Sequence, residues 1–82
     1  MKIEVLGGAC KRCEQFTQNI ELAVRQMGLQ DEVVRIDDPA EIAARGVWKT
    51  PTLMVDGRIE VIDAVPDPGD FAAILGRVSS PR

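Results

Sequence analysis

The stretch Lys2-Ile3-Glu4-Val5-Leu6-Gly7-Gly8-Ala9-Cys10-Lys11-Arg12-Cys13 decides how the chain is read. Its first part alternates: β-branched Ile3 and Val5 share one face, with polar residues between them, which is the period of a strand. Gly7-Gly8-Ala9 breaks the alternation. From about Cys10 to Met27 the period changes. Cys13, Phe16, Ile20, Ala23, Val24 and Met27 recur at intervals of three and four and draw one apolar stripe along a helix. Glu21 and Arg25 are spaced as an i, i+4 pair on the wet side. Gly28 suits a left-handed C-terminal cap. Cys10 therefore falls at a strand-to-helix junction, and Cys13 lies one turn further on.

A helix start presents unpaired N–H groups and the positive end of the helix dipole. A thiolate at Cys10 is stabilised there, so its pKa falls below the free value of about 8.5. Lys11 and Arg12 push the same way. Cys13 belongs to the apolar stripe and is expected to be the less exposed thiol, with its sulfur in reach of Cys10. That pair suits a two-step exchange in which Cys10 attacks a disulfide and Cys13 then resolves the mixed disulfide. The same spacing serves metal sites, and two cysteines can also form an inert structural disulfide. Gly7-Gly8 lacks the spacing and the following Lys-Ser/Thr of a phosphate loop.

Outward from this stretch, Asp31 to Asp37 reads as a second strand around Val33-Val34 and Ile36. Asp38-Pro39-Ala40-Glu41 announces a short helix: Asp38 as cap, proline at the first position, Glu41 closing a capping box, and Gly46 as the stop. Thr52 to Val55 and Arg58 to Ile62 are β-rich runs joined by Asp56-Gly57, the pair a type I′ hairpin turn prefers. Asp67-Pro68 repeats the cap-then-proline signature before Phe71, Ile74, Leu75 and Val78, an amphipathic helix. Residues 79–82 are expected to fray. The predicted order is β-α-β-α-β-β-α: an α/β fold with one mixed four-stranded sheet and helices on both faces. The 82 residues make a single domain, 1–82.

Composition removes other classes. A net charge of −3 and three aromatics, none interleaved with a basic run, give no nucleic-acid footprint. No stretch approaches the roughly 20 apolar residues of a membrane span, and nothing reads as a signal peptide, so a cytoplasmic location is expected. Histidine is absent, which removes His-based triads, His–Cys pairs and the commonest metal ligand. A mononuclear zinc site needs about four ligands, whereas the chain offers two thiols. No metal and no cofactor other than a Cys10–Cys13 redox disulfide is expected. Trp48 can form an apolar wall beside the cysteines or a half-buried packing residue, and both readings stand. Lys49 adds to the positive field or is simply solvated. Met27 and Met54 read as core. Asp31, Glu32, Asp37 and Asp38 read as caps and wet faces.

Together, Cys10-Lys11-Arg12-Cys13 after the first strand, Thr50-Pro51-Thr52 before the third, and Asp56-Gly57 in the hairpin resemble the thioredoxin superfamily. The similarity is to its small, single-domain glutaredoxin-like members, and it runs from Lys2 to about Val78. It implies a thiol–disulfide oxidoreductase with Cys10 as nucleophile and Cys13 as resolving thiol. It also implies a cis Pro51 packed beside them and a Thr50 backbone that pairs with an extended substrate segment. Protein disulfides as substrates and an upstream thiol reductase follow from the same resemblance, and the chain is expected to be a monomer. The chain departs from the pattern in Ala9, where many members carry tryptophan, and in the Lys11-Arg12 dipeptide, where typical thioredoxins have Gly-Pro. No carboxylate is identified as a base for Cys13. Two other classes compete. A soft-metal (Cu(I) or Zn) chaperone domain places the same cysteine spacing after a first strand, but its β-α-β-β-α-β order requires a hairpin after the first helix. A non-catalytic interaction module of the same fold is the third.

Overall fold

The computed structural model describes residues 1–78, so the tail expected to fray lies outside the described residues. The elements are β1 (Ile3–Leu6), α1 (Lys11–Gln26), β2 (Val33–Ile36), α2 (Pro39–Ala44), β3 (Thr52–Val55), β4 (Arg58–Ile62) and α3 (Pro68–Val78). This is the expected order. They build one four-stranded sheet, β2-β1-β3-β4. β1 runs parallel to β2 and antiparallel to β3, which pairs antiparallel with β4. The β1-α1-β2 crossover places α1 on one face, and α2 returns the chain over the other.

Each face carries its own core. Ile3, Val5, Leu53 and Val55 meet Phe16, Ile20, Ala23 and Val24 of α1, and Phe71 and Leu75 of α3. Phe16 and Phe71 contact edge to face, with centroids 4.9 Å apart, a pairing worth about 0.5–1.5 kcal/mol beyond the area it buries. On the other face a smaller cluster joins Leu6, Ile36, Val47 and Met54, with Ile42 of α2 packed against it. Met54 is thus core, and Met27 packs on the larger cluster from its edge.

The helix ends follow their sequence signals. Gly28 has φ 70°. Its N–H donates to the Arg25 carbonyl at 3.1 Å, and the Leu29 N–H donates to that of Val24 at 3.1 Å. This is the paired bonding of a left-handed helix stop, and Gly46 and Val47 close α2 with the same pair of bonds. Asp38 caps α2 by accepting from the Ala40 N–H at 3.0 Å, and Asp67 caps α3 through the Asp70 N–H at 2.8 Å. Asp56 and Gly57 take φ 53° and 83°, the two positive angles a type I′ turn needs.

Two local expectations are corrected, and two further features are new. Glu41 closes no capping box; its carboxylate lies 3.6 Å from Arg45. Glu21 and Arg25 form no ion pair among the described residues, since an exposed pair gains too little to hold two long side chains. Glu4, the polar residue between Ile3 and Val5, is only 4 % exposed. β1 lies inside a sheet covered on both faces, so its outward residue is buried under α2, where Arg45 donates to Glu4 at 3.3 Å. Finally, β4 is bulged: Leu53 pairs with Val61 and Met54 with Ile59, so Glu60 is an extra residue.

Candidate active site

The site forms where β1 hands over to α1. Cys10 is the N-cap residue, with extended backbone, φ −120° and ψ 160°. Its sulfur takes the place a serine or aspartate oxygen usually takes at a helix start: Sγ accepts from the Cys13 N–H at 3.0 Å. Cys10 is exposed, whereas Cys13 is 1 % exposed, so one turn of helix presents one sulfur and hides the other. Both are free thiols.

These surroundings push the two thiols apart. The Cys13 thiol and main-chain N–H donate to the Cys10 sulfur and hold its pKa below the ordinary value, helped by the Arg12 N–H and the charge of Arg12. Burial raises that of Cys13, and so does its bond to Cys10. Of the two basic neighbours expected to act on the sulfur, Arg12 does so. No contact ties Lys11 to it among the described residues.

Gly7 makes room for the hidden sulfur. A Cβ at Gly7 would lie 2.9 Å from Cys13 Sγ and 3.7 Å from Pro51 Cα, whereas one at Gly8 meets nothing within 4 Å. The loop before β3 therefore reaches the cysteines, and its Thr50-Pro51 bond is cis. Thr52 fixes that loop by donating to the Lys49 carbonyl at 2.6 Å. Trp48 is 73 % exposed, so the half-buried reading fails, because the core beneath it is filled by Val47. Trp48 lines an open groove of about 340 Å³ with Gly8, Thr50, Pro39, Ile42 and Val47. A larger hollow of about 520 Å³, lined by Glu21, Arg25 and Leu29, belongs to the far end of α1 from the cysteines.

Three residues of this site escaped sequence reasoning. Gly7 looked no different from Gly8, and only the fold gives it a neighbour. Arg35 of β2 donates to the Gly8 carbonyl at 2.9 Å, steadying the loop that leads to Cys10. Asp63, just after β4, accepts from Arg12 at 3.2 Å and faces Lys49 Nζ at 3.8 Å. Lys49 is therefore not simply solvated. Neither Arg35 nor Asp63 has a local sequence signal.

The soft-metal alternative is not supported. A helix, α2, separates β2 from β3, and the order β-α-β-β-α-β is not formed. Among the described residues no group of three or more Cys, Asp or Glu side chains is placed to hold a metal ion.

Comparison with known proteins agrees with this geometry. A solved structure, thioredoxin 1 from Thermosipho africanus TCF52B, superposes with a TM-score of 0.65 at 20 % identity, covering 96 % of this chain and 94 % of that one. A thioredoxin of Methanothermobacter thermautotrophicus is 29 % identical over 75 residues, 92 % of this chain and 97 % of the relative. A thioredoxin of Methanocaldococcus jannaschii is 33 % identical over 64 residues, 78 % of this chain and 73 % of the relative. The thioredoxin domain model matches residues 1–76. The chain thus belongs to the thioredoxin domain family and is a thiol–disulfide oxidoreductase.

Proposed function

We propose that the chain reduces or exchanges protein disulfides, with Cys10 as nucleophile and Cys13 as resolving thiol. The observation that carries this reading is the Cys13 N–H and thiol bonded to an exposed Cys10 sulfur, with the second sulfur buried behind it. The Cys10 thiolate attacks one sulfur of a substrate disulfide. A mixed disulfide forms, and the other substrate sulfur leaves as a thiolate that takes up a proton. Cys13 then gives up its proton and attacks the Cys10 sulfur. The second substrate thiol is released and the Cys10–Cys13 disulfide forms, so two electrons have passed to the substrate. The reverse sequence oxidises a dithiol.

An extended segment of the substrate lies along the backbone of Thr50 beside Pro51, with Trp48 as an apolar wall. An upstream thiol reductase returns the pair to its dithiol form, and no cofactor beyond the cysteine pair takes part. We read the chain as one domain, a cytoplasmic monomer with neither nucleic acid nor membrane as partner. No helix among the described residues is long and apolar enough to cross a membrane. Disulfide reduction should vanish in Cys10→Ser, while Cys13→Ser should trap mixed disulfides with substrate proteins. Turnover that survives Cys10→Ser, or trapping by Cys10→Ser instead, would reject this assignment.

A further inference from the structure

The exchange steps leave Asp63 unused, yet α1 and the loop before β3 both meet on it. Its main-chain N–H donates to the Pro51 carbonyl at 2.9 Å. Its carboxylate accepts from Arg12 Nη1 at 3.2 Å, and its main-chain carbonyl accepts from Arg12 Nη2 at 3.3 Å. Lys49 Nζ stands 3.8 Å from the other carboxylate oxygen. The backbone here is left-handed, φ 57°. Glycine adopts that conformation most readily, and aspartate is among the few other residues that tolerate it. A carboxylate at this position is therefore not needed by the turn itself.

Its charge has a clear target. Arg12 acts on the Cys10 sulfur from α1, and the carboxylate that offsets its charge also faces Lys49 of the loop before β3. The other charged groups on the surrounding elements include Lys11 and Glu14 in the first turn of α1, Arg35 of β2 at the Gly8 carbonyl, and Asp37, which lines the groove with Gly8. Among the described residues, Asp63 is the group that bridges the two cations. Arg12 lowers the Cys10 pKa, so whatever holds and neutralises Arg12 acts on Cys10 at second hand.

We propose that Asp63 is a positioning residue that sets the ionisation of Cys10, by offsetting the charge of Arg12 beside it. This rests on the reading of Cys10 as nucleophile. Removing the carboxylate leaves uncompensated positive charge beside the thiolate and stabilises it. The side chains of Asp63, Arg12 and Lys49 are partly exposed, so the effect is modest and salt-sensitive.

The test uses the full chain, reduced, as native protein and as Asp63→Asn and Asp63→Gly. Asparagine keeps the side-chain shape, and glycine keeps the left-handed backbone without strain. Alkylation of Cys10 by iodoacetamide is followed against pH at low and high salt, with the modified thiol identified by mass. The expected result is a midpoint lower by about half a pH unit in both variants at low salt, converging on the native value near ~0.5 M salt. A midpoint that stays or rises in either variant, or a shift indifferent to salt, overturns the role of Asp63. The native titration separates the two readings. If Cys13 reacts first in native protein, the exchange assignment falls and takes this role with it. If native Cys10 titrates as described and the variants do not move, only the role of Asp63 falls.

Discussion

Replacing Gly7 by alanine adds one methyl group at the most crowded point of the site. The new Cβ would lie 2.9 Å from Cys13 Sγ and 3.4 Å from Cys13 Cβ. Carbon atoms settle at about 3.5–4.0 Å from their neighbours, so the sulfur must retreat by roughly 0.6–1 Å. It has little room to do so: Cys13 is 1 % exposed and is carried on α1, whose stripe is locked into the larger core. Overpacking of this kind costs about 1–3 kcal/mol. In a domain of this size each kcal/mol lowers the melting temperature by about 4–8 °C, so a fall of about 5–20 °C is expected. The control is Gly8→Ala, where the added Cβ meets nothing within 4 Å. Neither glycine has a positive φ, so the change in backbone freedom is common to both variants and the crowding is not. Thermal unfolding of the reduced proteins, followed by far-UV circular dichroism, makes the comparison. Melting temperatures for the two variants within about 2 °C of each other would show that Cys13 does not pack against Gly7, and the account of the hidden sulfur would fail.

Two further outcomes are expected. In native protein, iodoacetamide should modify Cys10 first, with a pH midpoint below the ordinary thiol value that rises with salt as the charge of Arg12 is screened; Cys13, its pKa raised by burial, should react only at higher pH. A Cys10 midpoint above the ordinary value would refute the electrostatics described. Arg45→Ala should cost about 1–3 kcal/mol in urea unfolding, because it takes away the closer partner of a buried Glu4 carboxylate and leaves Lys2 at 3.8 Å. Adding Glu4→Gln should recover most of that loss. A cost below about 0.5 kcal/mol for Arg45→Ala, the level of an ordinary surface change, would mean that the pair does not hold α2 to the sheet.

The features that could be read from sequence are local ones. Helix stops at Gly28 and Gly46, caps at Asp38 and Asp67, and the Asp56-Gly57 turn each depend on a few neighbouring residues, so their signals survive without the fold. The cysteine spacing is local in the same sense, and it placed one exposed and one hidden sulfur where they stand. What escaped depends on residues distant in the chain. Glu4 alternates like a surface residue, and only the α2 crossover, 41 positions later at Arg45, buries it. Asn19 lies on the apolar side of α1 because its amide donates to the Pro66 carbonyl at 2.9 Å. The bulge at Glu60 follows from matching a five-residue strand to a four-residue one. Trp48 could be read either way, since its exposure depends on how Val47 beside it fills the core.

The unequal cores on the two faces of the sheet divide the molecule into a stiff half and a soft one. The apolar stripe of α1, the helix that carries Cys13, belongs to the larger cluster, together with α3 and one face of β1 and β3. α2 is a six-residue helix with no fully buried residue, resting on the smaller cluster. Elements with so few buried apolar contacts open locally at a fraction of the cost of global unfolding. The wall of the groove opposite Trp48 is therefore free to breathe while the sulfurs hold their spacing. On the proposed reading, in which a substrate segment lies along Thr50 beside Trp48, adjustment to its shape falls to the α2 side of the sheet.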